Sequence, residues 1–150
     1  MNPGRILLAE DNANDVELTL AALGEHNLAG RVDVVRDGAE ALDYLRRQGA
    51  HAGRRGDPVL MLLDLKMPKM DGFDVLRQVK SDPALKSIPV VALTSSRDGP
   101  DVRQCYELGV NAYVVKPVRF EDFARAVKEL GLFWLLINEP VPPAPGTPKR

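Results

Sequence analysis

The stretch Leu60–Gly72 reads LMLLDLKMPKMDG, and it decides the fold of this chain. Its first four residues form an unbroken apolar run, which is typical of a strand buried on both faces in a parallel sheet. Asp64 is the first polar residue after this run. A carboxylate at the carboxyl end of such a strand lies at the edge of the sheet where open α/β folds bind their ligands. Pro68, Asp71 and Gly72 then predict a turn and the start of a helix.

The composition of the chain excludes several classes of protein. The 150 residues are 45% hydrophobic and 27% charged, the balance of one globular domain. A net charge of -1 gives no electrostatic footprint for nucleic acid or an anionic membrane. No apolar run reaches the roughly 20 residues that span a bilayer, and the first one is too short for a signal peptide. Cys105, the single cysteine, excludes an internal disulfide and fits a reducing compartment. We therefore expect a cytoplasmic protein without nucleic acid or membrane partners.

Five short apolar runs alternate with segments of helical periodicity. The runs cover residues 5–9, 32–35, 59–63, 89–93 and 112–115. This alternation predicts an α/β fold, a doubly wound five-stranded parallel sheet with helices on both faces. Periodicity does not reveal the strand order, but the flavodoxin-like order 2-1-3-4-5 places strands 1 and 3 side by side. In that order Glu10, Asp11 and Asp64 converge.

Both ends of the last helical segment matter for the domain organisation. Its periodicity begins at Phe120, and residues 132–137 continue it with an apolar run, so we predict a domain of residues 1–137 with an extended last helix. Residues 138–150 contain five prolines and predict an extended tail. A helix that is apolar on all sides indicates an interaction surface, and we favour a homodimer over a segment that folds back onto the domain. The candidate interface residues are Phe133, Trp134, Leu135 and Ile137.

The three converging acids predict a metal site. Carboxylates held together repel one another unless a cation joins them, and hard oxygen ligands select Mg²⁺ or Mn²⁺. We predict direct ligation by Asp11, Asp64 and the backbone carbonyl of Lys66, with Glu10 acting through a water molecule. An ion can bridge this site only if the acids at positions 11 and 64 lie within about 8 Å of each other.

Two further strand ends supply the rest of a phosphoryl-transfer site. Thr94 offers a hydroxyl and Lys116 a positive charge, which would surround the oxygens of a phosphoryl group. Asp64 would be the nucleophile and form an acyl phosphate. The peptide bond before Pro117 is a candidate for the cis isomer, which would help to aim Lys116 into the site. Taken singly, these residues also fit helix caps or surface positions, but their coincidence at successive strand ends favours a site.

The complete set resembles the receiver domain of response regulators in two-component signalling. The match runs in order from about residue 5 to about residue 130 and rests on Glu10-Asp11-Asn12, on Asp64 with Met67-Pro68 and Met70-Asp71-Gly72, on Thr94-Ser95, and on Tyr113 with Lys116-Pro117. The resemblance implies that Asp64 is a magnesium-dependent phosphoacceptor. A phosphohistidine on a sensor kinase would supply its phosphoryl group. The resemblance also implies that Thr94 turns toward the phosphoryl group while Tyr113 moves inward, altering the face of helix 4, strand 5 and helix 5.

A finer resemblance concerns the kinase. The acidic opening at Glu10, the loop with Arg54 and Arg55 and the aromatic end of the last helix are similar to the stand-alone receivers paired with phytochrome kinases, which implies a bacteriophytochrome as partner. The predicted protein is a single-domain response regulator, and it is no enzyme beyond its own phosphorylation and dephosphorylation. We interpret Arg54 and Arg55 as a solvated loop and Cys105 as an inert core residue.

Three other functions are less well supported. Phosphatases with an aspartate nucleophile resemble a pattern with a second Asp two residues later, where this chain has Lys66. A nucleotide-binding module would need a glycine-rich phosphate loop after strand 1, and Glu10 and Asp11 stand there instead. A degenerate receiver that only docks would not need the full set of site residues.

Overall fold

The computed structural model of the protein describes residues 4–54, 56–67, 70–95 and 99–136, with only the backbone of Trp134. The predicted turn residue Pro68, the loop residue Arg55, the interface candidate Ile137 and the tail of residues 138–150 lie outside this part of the chain.

The described elements follow the predicted alternation of strands and helices. The strands are β1 (Ile6–Ala9), β2 (Val32–Val35), β3 (Leu60–Asp64), β4 (Val90–Thr94) and β5 (Ala112–Val115). The α-helices are α1 (Ala13–Gly24), α2 (Gly38–Arg46), α3 (Gly72–Ser81), α4 (Gly99–Glu107), α5 (Phe120–Glu129) and α6 (Phe133–Leu136), and two 3-10 turns cover Ala29–Arg31 and Gly49–His51.

The five strands form one parallel sheet in the order β2-β1-β3-β4-β5. This confirms the predicted doubly wound, flavodoxin-like architecture. β1 and β3 are neighbours, with Ala9 opposite Leu63. Asp64 is the last residue of β3 and pairs with Leu93 of β4, while Thr94 ends β4 opposite Val115. The register therefore brings the polar strand ends to one edge of the sheet.

Apolar side chains fill both faces of the sheet, because successive residues of a strand point to opposite faces. One core lies under α2, α3 and α4; its sheet residues include Leu7, Ala9, Met61, Leu63, Val90 and Ala92. The other lies under α1, α5 and α6; its sheet residues include Ile6, Leu8, Leu60, Leu62, Val91 and Leu93. The buried Cys105 belongs to the first core, as the sequence predicts. None of the helices in the described ranges combines the length and the apolar character that crossing a bilayer needs.

Two glycines set the distance between the sheet edge and the helices beside it. A Cβ atom on Gly72 would lie 2.4 Å from the carbonyl oxygen of Asp64 and 2.6 Å from the Cα of Leu65. A Cβ atom on Gly38 would lie 2.1 Å from the carbonyl oxygen of Met70. Because these neighbours are backbone atoms that cannot swing aside, only glycine lets α3 begin against the end of β3 and α2 begin against the chain at Met70.

The prediction of an extended last helix is wrong. α5 ends at Glu129, and Gly131 adopts a left-handed conformation with φ of 75°. The amide of Leu132 donates to the carbonyl of Val127 at 2.8 Å, and the amide of Gly131 donates to that of Lys128 at 3.1 Å. These two bonds form a Schellman motif, in which a glycine stops the helix and satisfies its last carbonyl groups.

The apolar segment after this stop is a separate short helix, α6, that packs against the domain. Leu136 is buried, and Leu132 and Phe133 pack against the core under α1 and α5. Leu135 is 53% exposed. The segment therefore folds back onto the domain to a large extent, the alternative that the sequence analysis ranked second. A homodimer through this segment stays a prediction.

The loop between α2 and β3 also differs from its predicted solvated state. The guanidinium of Arg54 lies 4.1 Å from the centroid of the Tyr44 ring, and its Nη2 donates to the Tyr44 carbonyl at 2.5 Å. A cation over an aromatic face is attracted by the ring quadrupole, and hydrogen bonds to the helix end add to that attraction. Arg54 therefore ties the loop to the last turn of α2.

Candidate functional site

Backbone hydrogen bonds of the sheet continue just past the strand ends and hold the polar residues in place. The amide of Glu10 donates to the carbonyl of Val35 at 2.9 Å. The amide of Lys116 donates to the carbonyl of Thr94 at 2.8 Å. Each of these residues is therefore anchored by its neighbouring strand, which leaves the side chains free to meet above the edge of the sheet.

The start of α1 places two more polar groups beside them. Asn12 caps the helix, and its side-chain oxygen accepts a hydrogen bond from the amide of Asp15 at 3.0 Å. Asp11 lies between β1 and this cap and is exposed. The amide of Asn12 also donates to Glu10 Oε2 at 3.3 Å. The turn from strand to helix thus gathers acids on one side.

One carboxylate oxygen from each of Glu10, Asp11 and Asp64 lies within 4.8 Å of the other two. The separation is well inside the limit of about 8 Å beyond which no ion could bridge positions 11 and 64. Oxygens at this spacing fit the ligand shell of a hard divalent cation.

The ammonium group of Lys116 contacts three carboxylates. Its Nζ lies 2.7 Å from Glu10 Oε1, 3.0 Å from Asp15 Oδ2 and 3.2 Å from Asp64 Oδ1. Asp15 was not among the predicted site residues, because an acid in the first turn of a helix is common beside the N-cap. We call Glu10, Asp11, Asp15 and Asp64 together with Lys116 the acid cluster.

The acid cluster is electrostatically strained. Burial raises the pKa of Glu10 to about 7, and the nearby Asp64 adds to this rise while Lys116 opposes it. Burial alone would lower the pKa of Lys116, but the close contacts with the Glu10 and Asp15 carboxylates raise it above its ordinary value. Glu10 Oε1 is buried without a hydrogen bond of good geometry from the described residues, although the Lys116 ammonium is close. A divalent cation would relieve this excess of negative charge, so the donor set fits a metal ion.

A shallow cavity of about 240 Å³ opens above the cluster. Lys66, Thr94 and Ser95 line it together with the acids. The amide of Lys66 donates to Asp64 Oδ1 at 3.3 Å, which orients the Asp64 carboxylate from the side of the chain that follows β3. Thr94 is buried at the end of β4. The direct ligation by Lys66 and the phosphoryl contacts of Thr94 and Lys116 remain predictions.

Tyr113 lies apart from the acid cluster. It is 38% exposed, and its ring packs edge to face on Tyr106 with centroids 6.2 Å apart. Both rings line a cavity of about 530 Å³ formed by α4, β5 and α5. The peptide bond between Lys116 and Pro117, just after the end of β5, is cis.

Comparison with known proteins agrees with this architecture. Residues 6–128 match the model of the response regulator receiver domain family. The chain is 43% identical over 143 residues to the probable methanogenesis regulatory protein FilR2 of Methanothrix harundinacea strain 6Ac, covering 95% of this chain and 91% of the relative. It is 40% identical over 133 residues to the response regulator Rcp1 of Synechocystis sp. strain PCC 6803, covering 89% and 90%.

Several solved structures of response regulators are also similar to this chain. The bacteriophytochrome response regulator RtBRR is 56% identical, with a TM-score of 0.83 over 94% of this chain and 86% of the other. The bacteriophytochrome response regulator AtBRR is 54% identical, with a TM-score of 0.84 over 93% of this chain and 100% of the other. A Mn²⁺-bound form of Rcp1 is 38% identical, with a TM-score of 0.73 over 93% and 100%.

The five-stranded sheet with an acid cluster at one edge defines a receiver fold. The chain belongs to the response regulator receiver domain family of two-component signalling, and its homologues include phytochrome response regulators. Members of this family act as phosphoacceptor switches rather than as classical enzymes. The acid cluster together with the Mn²⁺-bound relative fits binding of a divalent metal.

Proposed function

We propose that this protein is a magnesium-dependent phosphorylation switch in which Asp64 accepts a phosphoryl group from a sensor histidine kinase. One observation carries the proposal: carboxylate oxygens of Glu10, Asp11 and Asp64 lie within 4.8 Å of one another, while the Lys116 ammonium is 3.2 Å from Asp64. In this proposal a nucleophile, a set of metal ligands and a fixed cation lie close together. The observation supports a site for phosphoryl transfer, which depends on such charge placement.

The proposed reaction uses Asp64 as the nucleophile. One of its oxygens attacks the phosphorus of a phosphohistidine, so that an O–P bond forms while the N–P bond breaks and the imidazole leaves with a proton from solvent. When bound, Mg²⁺ neutralises charge on the phosphoryl oxygens. Asp11, Asp64 and the Lys66 carbonyl would hold it directly, and Glu10 would hold it through water. Lys116 and the Thr94 hydroxyl would take the remaining phosphoryl oxygens.

The proposed output runs from this site to the face of α4, β5 and α5. Thr94 ends β4 beside the acid cluster, and Tyr113 lies half-exposed on the adjacent strand beside the cavity of that face. A phosphoryl group adds about 1.5 to 2 negative charges, enough to bias a two-state loop. We propose that Thr94 turns toward the phosphoryl group and Tyr113 moves inward, which changes the surface presented to partners.

The proposed partners are a kinase and a second copy of the chain. Several relatives are phytochrome response regulators, which supports a bacteriophytochrome as the sensor kinase and a location in the cytoplasm. The exposed Leu135 on α6 supports a homodimer through the C-terminal segment. Sedimentation of the chain and of a Trp134→Glu, Leu135→Glu variant tests this: a dimer that the variant converts to a monomer supports it, and a monomeric parent chain contradicts it.

The phosphoacceptor proposal is tested with acetyl phosphate and Mg²⁺, followed by intact mass spectrometry. We expect one added phosphoryl group that chelation prevents and that hydroxylamine removes, since acyl phosphates are labile. Asp64→Asn should abolish the labelling. The matched control is Asp74→Asn, which removes an exposed carboxylate paired with Arg77 on α3 and should label like the parent chain. Labelling that survives Asp64→Asn or chelation would refute the assignment.

A further inference from the structure

The ammonium group of Lys116 lies against three acids, and its hydrogen bond of good geometry goes to Asp15 Oδ2 at 3.0 Å. A lysine ammonium carries three N–H groups, and its Nζ contacts three carboxylates, those of Glu10, Asp15 and Asp64. A phosphoryl group on Asp64 that takes a contact from Lys116 therefore competes with these carboxylates for the ammonium. This inference rests on the proposed function, because it concerns the step at which the phosphoryl group arrives.

The three contacts differ in how easily they are released. The side chain of Glu10 is 0% exposed and that of Asp64 is 6% exposed, whereas that of Asp15 is 29% exposed. A released carboxylate must regain water, and the cost of going without it is large for a buried group. Asp15 also lies on the first turn of α1, outside the sheet edge that fixes Glu10 and Asp64. Asp64 itself carries the phosphoryl group, so of the other two partners Asp15 is the one that Lys116 can leave at the smaller cost.

We propose that Asp15 is a positioning residue that holds Lys116 in the unphosphorylated state and competes with the phosphoryl group for its ammonium. In the resting chain Asp15 shares Lys116 with Glu10 and Asp64. When the phosphoryl group is present, the ammonium exchanges Asp15 Oδ2 for a phosphoryl oxygen, and Asp15 turns to solvent. The strength of the Asp15 contact thus sets how readily the chain retains a phosphoryl group.

The exchange is visible in the parent chain by NMR of lysine ammonium and aspartate carboxyl groups. Without ligand we expect an observable Lys116 ammonium signal that correlates with the Asp15 carboxyl carbon, since a hydrogen-bonded ammonium is protected from exchange with water. Beryllium fluoride with Mg²⁺, which mimics a phosphoryl group on a carboxylate, should remove this correlation and move the Asp15 carbon to the shift of a hydrated carboxylate. A correlation that persists in the loaded chain would overturn the proposal.

Variants measure the consequence of the competition. Asp15→Asn should bind beryllium fluoride about fivefold more tightly at saturating Mg²⁺, the factor that corresponds to a partly exposed ion pair. Asp15→Glu keeps a carboxylate and should stay near the parent value. Glu17→Gln, which removes an exposed charge from the same helix without touching Lys116, is the matched control and should change the affinity less than twofold.

A double-mutant cycle separates competition from plain repulsion of the anion. If Asp15 acts through Lys116, the effect of Asp15→Asn disappears in a Lys116→Met chain; if it only repels the anion, the effect persists there. A persisting effect, or an unchanged affinity of Asp15→Asn, overturns the proposal. A parent chain that binds no beryllium fluoride and takes no label from acetyl phosphate would instead refute the proposed function, which keeps the two failures distinct.

Discussion

Within the described residues, the acid cluster and a second group of charged residues are built in opposite ways. The acid cluster places Lys116 against three carboxylates, with Asp11 beside them, at the ends of β1, β3 and β5 and the start of α1. The second group, which we call the β2 cluster, consists of Asp33, Arg5 and Tyr44 at β2. Arg5 donates to both oxygens of Asp33, at 3.2 and 2.5 Å, and the Tyr44 hydroxyl donates to the same carboxylate at 2.5 Å.

The pKa shifts of the two clusters have opposite signs. Burial would raise the pKa of Asp33, but the hydrogen bonds from Arg5 and Tyr44 lower it below its ordinary value. Glu10 instead has a pKa raised to about 7, because burial and the neighbouring Asp64 outweigh the help from Lys116. The carboxylate of Asp33 is satisfied by groups of the chain itself, whereas the acid cluster keeps an excess of negative charge. Charged groups without enough partners within the chain are typical of a binding site, whereas fully paired groups are typical of a structural network.

The largest expected difference between the two regions concerns backbone fit. Gly72→Ala should lower the free energy of unfolding by about 3 kcal/mol, because its Cβ would collide with backbone atoms of Asp64 and Leu65. Gly53→Ala, in the loop beside the β2 cluster, has no neighbour within 4 Å of the new Cβ and should change it by less than about 0.5 kcal/mol. Urea unfolding of both variants gives the comparison, and equal losses would refute it.

Added magnesium should stabilise one region only. At a Mg²⁺ concentration ten times its Kd, binding to the folded chain adds about 1.4 kcal/mol to the free energy of unfolding. Asp64→Asn should lose this gain, because it removes a central ligand of the acid cluster. Asp33→Asn should retain it. Thermal melts with and without Mg²⁺ measure both, and a gain that survives Asp64→Asn would place the ion elsewhere.

Without divalent ions, the same two substitutions should have opposite signs. Asp64→Asn removes a buried like charge beside Glu10 and should raise the free energy of unfolding by about 1 kcal/mol, the scale of one pKa unit. Asp33→Asn removes the partner of Arg5 and Tyr44 and should lower it by about 1 kcal/mol, a value that allows for solvent screening at this partly exposed pair. Destabilisation by both would show that the acid cluster is not strained.

The smallest effect is the acid sensitivity of the β2 cluster. The pKa of Asp33 is lower in the folded chain than in the unfolded one, so its contribution is complete above the unfolded value near 4 and disappears as pH falls through the folded value. The stability difference between the parent chain and Asp33→Asn should therefore be constant near neutral pH and shrink below about pH 4. A difference that grows on acidification would mean that the pKa of Asp33 is raised.

Where the prediction from sequence failed, the signal was local and ambiguous. Gly131 stops α5 through a Schellman motif, but the apolar residues after it masked that signal. Arg54 contacts the face of Tyr44 ten residues away, a contact that loop composition does not encode. The contact of Asp15 with Lys116 was also not predicted, because an acid in the first turn of α1 is explained by ordinary capping.

The sequence by itself determined the alternation of strands and helices, and with it the placement of polar residues at the strand ends, because hydrophobic periodicity depends only on neighbours along the chain. The flavodoxin-like order, a common arrangement of doubly wound sheets, supplied the strand order that periodicity lacks. Tertiary structure alone decided how the charges are shared: which carboxylates surround Lys116, and how deeply each is buried. Those facts depend on distances between residues as far apart in the chain as Asp15 and Lys116, which only the packing of α1 against the sheet edge brings together.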